Sequence, residues 1–540
     1  MNCTASFLTY GQTGYFSKIV LDYIQQDPSI QPFYRHPLSV AGIKASIADR
    51  KKFATDRNLL VTVLKMQYAS VETGELVGRN IELLRDENSF TICTAHQPNI
   101  FTGPLYFIYK ILHVVKLAEQ LKAYLPENNF VPVYYMGSED ADLDELGHIY
   151  VNGEKYEWKT GQTGAVGRMR VDKALVALLD SVSGQLLVYP FGAEIITMIK
   201  ECYKEGVTIE QATFQLVNGL FADYGVVIVL PDNADLKAAF IPVIEKELIR
   251  EFSHIEVQHT VAKLPAGYKV QASGRELNMF YLKDDKRLRI ELRDDSWSVV
   301  STELKFTKEE IITELKQHPE RFSPNVILRP VFQEWILPNI AFIGGGGEIA
   351  YWLQLKKVFE AVEAPYPLLV VRNSFMFVSK KIQTGIDKFK FSHLDLFQTE
   401  RDLINQLVKR DSFHQLSLEK EQLQIAAVYE HLKIITGKID ITLQGHTSAL
   451  QTEALKKIAS LEKKMLRAEK KKFEAQQRQI HEIKMQLFPN NDLQERVDNM
   501  MIYYAKWGKE FIRMLYDHSK GLEQEFGILV EKEIAPGPDN

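Results

Sequence analysis

Cysteine is scarce in this chain, and its scarcity excludes several kinds of structure. Only three cysteines occur among 540 residues, namely Cys3, Cys93 and Cys202. An odd number of widely spaced cysteines provides neither a disulfide framework nor a CxxC pair for a zinc site. We therefore expect a reducing, cytoplasmic setting.

Long apolar runs and a large excess of charge are also missing. No run approaches the roughly 20 residues that a membrane span needs, and the first residues do not have the pattern of a signal peptide. The net charge of −5 gives no electrostatic reason to expect a nucleic-acid partner. Because 540 residues exceed the size of one small core, we expect two or three structural units.

Polar residues cluster where two predicted strands end. Residues 90–95 form an apolar run that leads into His96, Gln97 and Asn99, and a helix pattern follows from Gly103. Residues 130–136 form a second apolar run that leads into an acidic segment. In a strand–helix–strand unit these two ends lie side by side, and open parallel sheets bind ligands at that edge. His96 can bind an anion or shuttle a proton. Alternatively, it has only a structural role as a buried, hydrogen-bonded histidine.

The acidic segment contains Glu139, Asp140 and Asp142 directly after the second strand. Carboxylates in this place can bind an amine or a divalent cation, or act as a general base. Alternatively, they cap and stabilise the start of a helix. Their position opposite His96 favours a function.

Further apolar runs extend the predicted α/β core. Residues 225–232 and 368–372 read as a third and a last strand, and residues 326–330 return the chain to the core with Arg329 at a strand end. Arginine suits a carboxylate ligand because it pairs with it through two hydrogen bonds. Gly345, Gly346 and Gly347 precede a helix predicted over 349–362, so the glycine turn can bind an anion or can be only a tight turn. Residues 1–85 read as helix and loop, and 152–222 and 255–320 as excursions from the sheet.

The composition changes after Ser379. The heptad spacing of a coiled coil is followed by Ile425, Val428, Leu432, Ile435 and Ile439, and a second helix is predicted over about 447–487. We therefore predict a core over 1–379, an antiparallel helical coiled coil over 380–488, and a helical segment over 489–540 that returns to the core. An apolar seam on such a hairpin favours a homodimer.

The chain resembles the bacillithiol biosynthesis cysteine-adding enzyme family over nearly its whole length. The stretches that carry the resemblance are 94–97 with 102–106, 138–145, 329–334 with 337–338, 345–355, and 487–499, in the family's order. The chain has Ala95-His96 where the family usually has Gly-Gln, and Ala141 where it often has a histidine.

The resemblance implies a Rossmann-like core with connecting insertions, a coiled coil that pairs two subunits, and a ligase activity. The implied reaction is the last step of bacillithiol synthesis, in which L-cysteine is joined through an amide to the amine of glucosaminyl malate. We interpret four residues as catalytic: His96, Gln97, Asp140 and Asp142. We interpret nine as substrate-binding: Asn99, Tyr106, Glu139, Arg329, Gln333, Glu348, Tyr351, Arg496 and Asn499. Gly345, Gly346 and Gly347 are the candidates for cofactor binding.

Our mechanistic hypothesis starts from the need to activate a carboxylic acid before it forms an amide. His96 and Gln97 would hold the activated cysteine, Asp140 and Asp142 would take the amine's proton, and Arg329 or Arg496 would hold malate. The cofactor is left open, with a nucleotide such as ATP or ADP as the candidate, and no metal is predicted. The alternatives are a nucleotidyltransferase on the same fold and a non-catalytic coiled-coil scaffold.

Overall fold

A computed structural model describes residues 3–271 and 274–532. The strands are β1 (Cys3–Thr9), β2 (Ser89–His96), β3 (Asn129–Met136), β4 (His148–Val151), β5 (Glu154–Glu157), β6 (Val227–Val229), β7 (Met279–Lys283), β8 (Lys286–Arg293), β9 (Ser296–Val299), β10 (Lys305–Phe306), β11 (Phe322–Pro324), β12 (Asn339–Gly344), β13 (Leu368–Val371), β14 (Ser374–Val378) and β15 (Glu525–Glu531).

The α-helices between and after these strands differ widely in length. They are α1 (Tyr10–Thr13), α2 (Lys18–Ile24), α3 (Val40–Arg50), α4 (Arg57–Tyr68), α5 (Glu75–Leu83), α6 (Tyr106–Tyr124), α7 (Leu143–Leu146), α8 (Lys173–Leu186), α9 (Gly192–Cys202), α10 (Ile209–Phe221), α11 (Ala234–Ala239), α12 (Ile241–Arg250), α13 (Phe252–Val261), α14 (Lys308–Gln317), α15 (Arg329–Ile336), α16 (Gly346–Trp352), α17 (Lys356–Ala361), α18 (Lys380–Lys388), α19 (Glu400–Asp411), α20 (Glu419–Ile439), α21 (Leu443–Lys470), α22 (Glu474–Leu487), α23 (Gln494–Val497), α24 (Met501–Trp507) and α25 (Lys509–His518). None of the helices in the described ranges is long and apolar enough to cross a membrane.

The central sheet has the strand order β13-β12-β2-β3-β6, and neighbouring strands run parallel. All residues of β2 are buried, which explains why its sequence is a continuous run without polar alternation. Helix α6 packs on β2 and β3, and Ile92, Val114 and Ile343 are among the buried residues of this core. These observations confirm the predicted α/β class and its parallel sheet.

Three further sheets accompany this core in the described part of the chain. The excursion over 255–320 contains most of an antiparallel sheet of order β10-β9-β8-β7-β11, which includes the strand predicted near residues 287–292. A second sheet has the order β1-β15-β14, and β4 and β5 form a hairpin. Strand β1 was not predicted, because its antiparallel partner β15 lies at the other end of the chain and leaves no local pattern.

The strand predicted over 326–330 is wrong. The backbone N–H of Ile327 donates to Asn325 Oδ1 at 2.8 Å, and that of Arg329 donates to the Asn325 carbonyl at 2.8 Å. These bonds form a turn from which α15 begins at Arg329. Pro330 fits the first helical turn, where no intrahelical N–H bond is needed. Arg329 therefore begins a helix and does not end a strand.

Other predicted boundaries need correction. The helix predicted over 349–362 is two helices, α16 and α17, because the N–H groups of Gln354 and Leu355 bond three residues back and close the first one. Residues 368–372 are not the last strand, since β14 and β15 follow, and β15 ends the segment that was predicted as helical.

The described chain divides into two compact units. The first contains the chain up to Phe377 and again from Asp492, and the second is Val378–Asn491. In the second unit α20 and α21 form an antiparallel hairpin, in which Gln422 bonds Glu462 and Thr436 bonds Thr447. The helix predicted over 447–487 is interrupted by a 3₁₀ turn at Lys471–Phe473.

Candidate functional site

A cavity of about 420 Å³ lies at the carboxyl ends of β2, β3, β12 and β13. The chain continues from β2 to β3 on one side, whereas β12 lies on the other side of β2, so the strand order reverses there. Ligands of open α/β sheets bind at such a switch point. The volume is in the range of small-molecule sites.

The cavity brings together most of the predicted site residues. The predicted residues that line it are His96, Gln97, Tyr106, Asp140, Arg329, Gly345, Gly346, Gly347, Glu348, Tyr351 and Arg496. The unpredicted ones are Ala95, Lys110, Gly137, Glu145, Val326 and Arg372. Segments that are distant in the sequence therefore meet in one concave surface.

His96 ends β2 with its side chain buried against two aromatic rings. The ring centroids of Tyr106 and Phe107 each lie 5.3 Å from that of His96. Its Nε2 atom is buried without a hydrogen-bond partner among the described residues. Burial, followed by the charges of Lys110 and Arg372, holds the pKa of His96 well below its ordinary value. The imidazole is therefore neutral, so it can form a hydrogen bond to a ligand without carrying a charge.

Arg329 reaches the cavity from the start of α15. Its Nη2 donates to the Tyr351 hydroxyl at 2.7 Å, and the guanidinium lies 5.8 Å from the centre of the Tyr135 ring. Its Nη1 atom is buried and has no partner within the described chain. One edge of the guanidinium is thus fixed, and a second donor remains for a ligand.

Arg372 follows β13 and is a second buried cation in the cavity. Its Nη2 donates to Glu495 Oε1 at 2.8 Å, and its Nη1 donates to the Asn373 carbonyl at 2.9 Å. Its Nε atom finds no partner in the described ranges, and the same is true of Nε2 of His96 and Nη1 of Arg329. A buried donor without a partner costs about 1–3 kcal/mol. Two such donors on arginines, next to the unpartnered imidazole nitrogen of His96, indicate a ligand that supplies acceptor oxygens.

Lys110 and Glu348 form an ion pair in the same cavity. Lys110 also donates to the Ala95 carbonyl at 2.9 Å, and burial lowers its pKa. Glu348 accepts the Gly345 N–H at 2.9 Å and so holds the start of α16 in place. One N–H of the predicted anion-binding turn is therefore used within the protein.

Two asparagines that we predicted to bind substrate lie at a turn outside the cavity wall. The Nδ2 of Asn499 donates to the carbonyls of Phe101 at 2.9 Å and Gly103 at 2.6 Å. Asn99 is buried so close to Gly103 that a Cβ atom on this glycine would lie 2.7 Å from the Asn99 Cβ. Gly103 has a φ of 62°, which also favours glycine. Asn499 therefore holds the chain between β2 and α6, and neither asparagine lines the cavity.

Three other predicted residues also lie away from the cavity wall. Asp142 caps α7 by accepting the Glu145 N–H at 3.2 Å. Glu139 binds Lys237 at 2.5 Å, and both side chains are buried. Gln333 is fully buried and donates at 2.9 Å to the carboxylate of the next residue. We predicted that these side chains act on or bind a substrate, but each of them has a partner within the protein.

Sequence reasoning missed Lys110, Arg372 and Glu145, although two of them leave a signal. Arg372 follows a buried parallel strand, so the rule that selected His96 also applies to it. Lys110 is a single lysine in an apolar helical stretch, and a fully buried lysine is rare unless it is paired. Glu145 belongs to an acidic segment in which no sequence feature distinguishes one carboxylate from another.

Both parts of the chain match a family description. "Bacillithiol biosynthesis BshC, N-terminal Rossmann-like domain" matches residues 3–373, and "Bacillithiol biosynthesis BshC, C-terminal coiled-coil domain" matches residues 375–531. These matches agree with the parallel sheet and with the helical hairpin of the second unit.

Similar proteins share this assignment along their whole length. Proteins named "Putative cysteine ligase BshC" from Flavobacterium johnsoniae and Christiangramia forsetii are each 38% identical to this chain, over 97% of it and over 99% and 98% of their own lengths. A protein of the same name from Flavobacterium psychrophilum is 37% identical over 97% of this chain and 98% of its own length. The chain belongs to the bacillithiol biosynthesis BshC family.

Proposed function

We propose that this enzyme of bacillithiol biosynthesis joins L-cysteine through an amide bond to the amine of glucosaminyl malate. The name of its relatives, cysteine ligase, supports the amino acid and the reaction type. The observation that supports the second substrate is the pair of buried guanidinium donors without partners, on Arg329 and Arg372. A malate group brings two carboxylates, and arginine binds carboxylates through short, charge-assisted hydrogen bonds.

The cavity supports a distribution of roles among its residues. Arg329, Arg372 and Arg496 provide positive charge for the malate carboxylates. His96 and Gln97 lie at the end of β2, where they can hold the activated cysteine. Asp140 lines the cavity, whereas Asp142 caps a helix, so Asp140 is the better placed of the two acids that we predicted as bases.

Activation of the cysteine carboxyl group requires a second reagent. We propose a nucleoside triphosphate such as ATP. A carboxylate oxygen of cysteine would bond to one of its phosphorus atoms, the remaining ADP or pyrophosphate would depart, and the carboxyl carbon would then carry a phosphate-type leaving group. The small residues Gly346 and Gly347 line the cavity and let the backbone approach a phosphate group closely.

One experiment separates the proposed function from its alternatives. Purified protein is incubated with L-cysteine and glucosaminyl malate, with and without ATP, and the products are identified by mass spectrometry. We expect the amide product, and we expect it only with ATP. A nucleotidyl product without a thiol compound would support a nucleotidyltransferase, and no product would support a scaffold.

We also propose that the second unit pairs two copies of the chain. Val428, Leu432, Ile435 and Ile439, from the predicted heptad seam, are exposed by 58%, 40%, 42% and 77% in the single chain. The bonds between α20 and α21 use other residues of α20, so this apolar face is not covered by α21. A second copy would bury it and gain roughly 25 cal/mol per Å² of apolar surface.

Sedimentation of the full chain tests this pairing. Ile435→Asp places a charge in the proposed contact, and we expect it to convert a dimer into a monomer. Lys438→Asp, an exposed position of the same helix outside the seam, is the matched control and should stay dimeric. A dimer that survives Ile435→Asp would contradict the proposed contact.

The thiols agree with a reducing compartment. Cys3, Cys93 and Cys202 are all free in the structure, and none forms a disulfide. We therefore place the reaction in the cytoplasm.

A further inference from the structure

Three carboxylates line the cavity, and their surroundings differ. Glu348 is paired with Lys110. Asp140 Oδ1 lies 3.8 Å from Nη1 of Arg287, so it also has a cation beside it. The Glu145 side chain has no hydrogen bond or ion pair with any residue that the structure describes. Glu145 is therefore the lining carboxylate that forms no ion pair with a neighbouring cation.

Glu145 is also accessible to a substrate. It belongs to α7, and its side chain lines the cavity while part of it stays exposed to solvent. The same cavity contains the unsatisfied buried donors on His96 and Arg372, which independently indicate a bound ligand. A ligand anchored on those donors thus shares the cavity with a free carboxylate.

The electrostatic surroundings make Glu145 a stronger base than an ordinary glutamate. Partial burial, followed by the negative charges of Asp142, Asp140 and Glu348, raises its pKa, and the positive charge of Lys110 opposes this only in part. A carboxylate accepts a proton more readily near neutral pH when its pKa is raised.

We propose that Glu145 is the general base that takes the proton from the attacking amine. This inference rests on the proposed function and assigns a catalytic residue to it. The amine nitrogen attacks the carbonyl carbon of cysteine that has been activated by a nucleoside triphosphate, and the C–N bond forms. The bond from that carbon to the phosphate-type leaving group breaks, and the leaving group departs with the electron pair. The N–H proton passes to the carboxylate of Glu145.

The test compares the pH dependence of amide formation in four proteins. These are the unchanged enzyme, Glu145→Gln, Glu145→Asp and Asp144→Asn, the last being an exposed acid of the same helix that does not line the cavity. Removal of a general base lowers kcat by about 100-fold or more. We expect this loss in Glu145→Gln, with the KM for glucosaminyl malate unchanged, and partial recovery in Glu145→Asp. Asp144→Asn should behave as the unchanged enzyme.

The acidic limb of the profile distinguishes a base from a structural residue. The unchanged enzyme should lose activity as the pH falls and Glu145 becomes protonated, and Glu145→Gln should lack this limb. Glu145→Gln with the activity and pH profile of the unchanged enzyme would overturn the inference and leave the proposed function intact. Loss of the acidic limb in Asp140→Asn, with the limb kept in Glu145→Gln, would also overturn the inference and leave the proposed function intact. Absence of the amide product with the unchanged enzyme would contradict the proposed function itself.

Discussion

Glu139 and Asp140 are neighbours with the same charge, yet one belongs to a closed network and the other to an open cavity. Glu139 accepts from Lys237, which also donates to Asp232 Oδ1 and to the Glu320 carbonyl, each at 3.0 Å. All three donors of this lysine are therefore used. Asp140 lines a cavity in which other donors lack partners. A closed network holds the fold together, whereas an open one is available to a ligand.

Backbone contacts fix which of the two acids faces which side. The N–H of Gly167 donates to the Ser138 carbonyl at 2.9 Å, and the N–H of Val166 donates to the Asp140 carbonyl at 2.8 Å. The backbones approach so closely that a Cβ atom on Gly167 would lie 2.5 Å from the Cβ of Ser138. The loop after β3 is thus clamped with Glu139 turned inwards.

Two histidines show the same difference. His113 is fully buried, its Nδ1 accepts the Asn373 N–H at 3.0 Å, and its Nε2 donates to the Gly521 carbonyl at 2.6 Å. Both ring nitrogens are therefore used in one neutral tautomer. His96 is also neutral and buried, but its Nε2 has no partner in the described part of the chain. The contrast again separates a structural group from a candidate ligand-binding group.

The largest effect, a loss of stability, is expected when the hydrogen-bond network of Lys237 is broken. Lys237→Met leaves the buried carboxylate of Glu139 without its cation, and loss of one partner of a buried pair costs about 3–5 kcal/mol. We expect urea denaturation to show a lower free energy of unfolding by this amount. Lys18→Met, which removes an exposed pair with Asp22, is the control and should change the midpoint little. Equal stability of Lys237→Met and the unchanged protein would refute the closed network.

A smaller effect is expected from removing a donor of the open cavity. Hydrogen bonds to charged groups contribute about 1.5–3 kcal/mol, so Arg329→Met should weaken binding of glucosaminyl malate by roughly 10- to 100-fold. Isothermal titration calorimetry measures this change. Arg35→Met, at an exposed arginine that does not line the cavity, should bind as the unchanged protein does. An unaltered Kd for Arg329→Met would remove this arginine from the proposed substrate site.

The smallest effect concerns the pH dependence that His113 contributes. Burial lowers the pKa of His113 to about 4. Between pH 6.5, where the unfolded histidine binds a proton, and pH 4, the unfolded state holds more protons, so acid favours unfolding. The contribution is about 1.4 kcal/mol per pH unit in this window. Urea midpoints at pH 7, 6 and 5 should therefore fall less steeply in His113→Gln than in the unchanged protein, and equal slopes would contradict the assignment.

Part of the cavity could be predicted from strand ends and part only from the family resemblance. His96, Gln97 and Asp140 follow buried apolar runs, and such runs are recognisable because both faces of a parallel sheet are covered. Tyr106 and Glu348 came from the resemblance, since a residue inside a helix has no local feature that marks it as lining a cavity. Arg329 lines the cavity although its local structure was predicted wrongly.

The sequence by itself determined the parallel sheet, the helical hairpin and the edge of the sheet where polar residues gather, because apolar runs and helical periodicity are patterns among neighbouring residues. Only the tertiary structure decided which of those polar residues remain available to a ligand. Lys237, the ion-pair partner of Glu139, lies 98 positions further along the chain, on another element. A carboxylate's charge is compensated by whichever cation the fold brings within hydrogen-bond distance, and no local pattern contains that information.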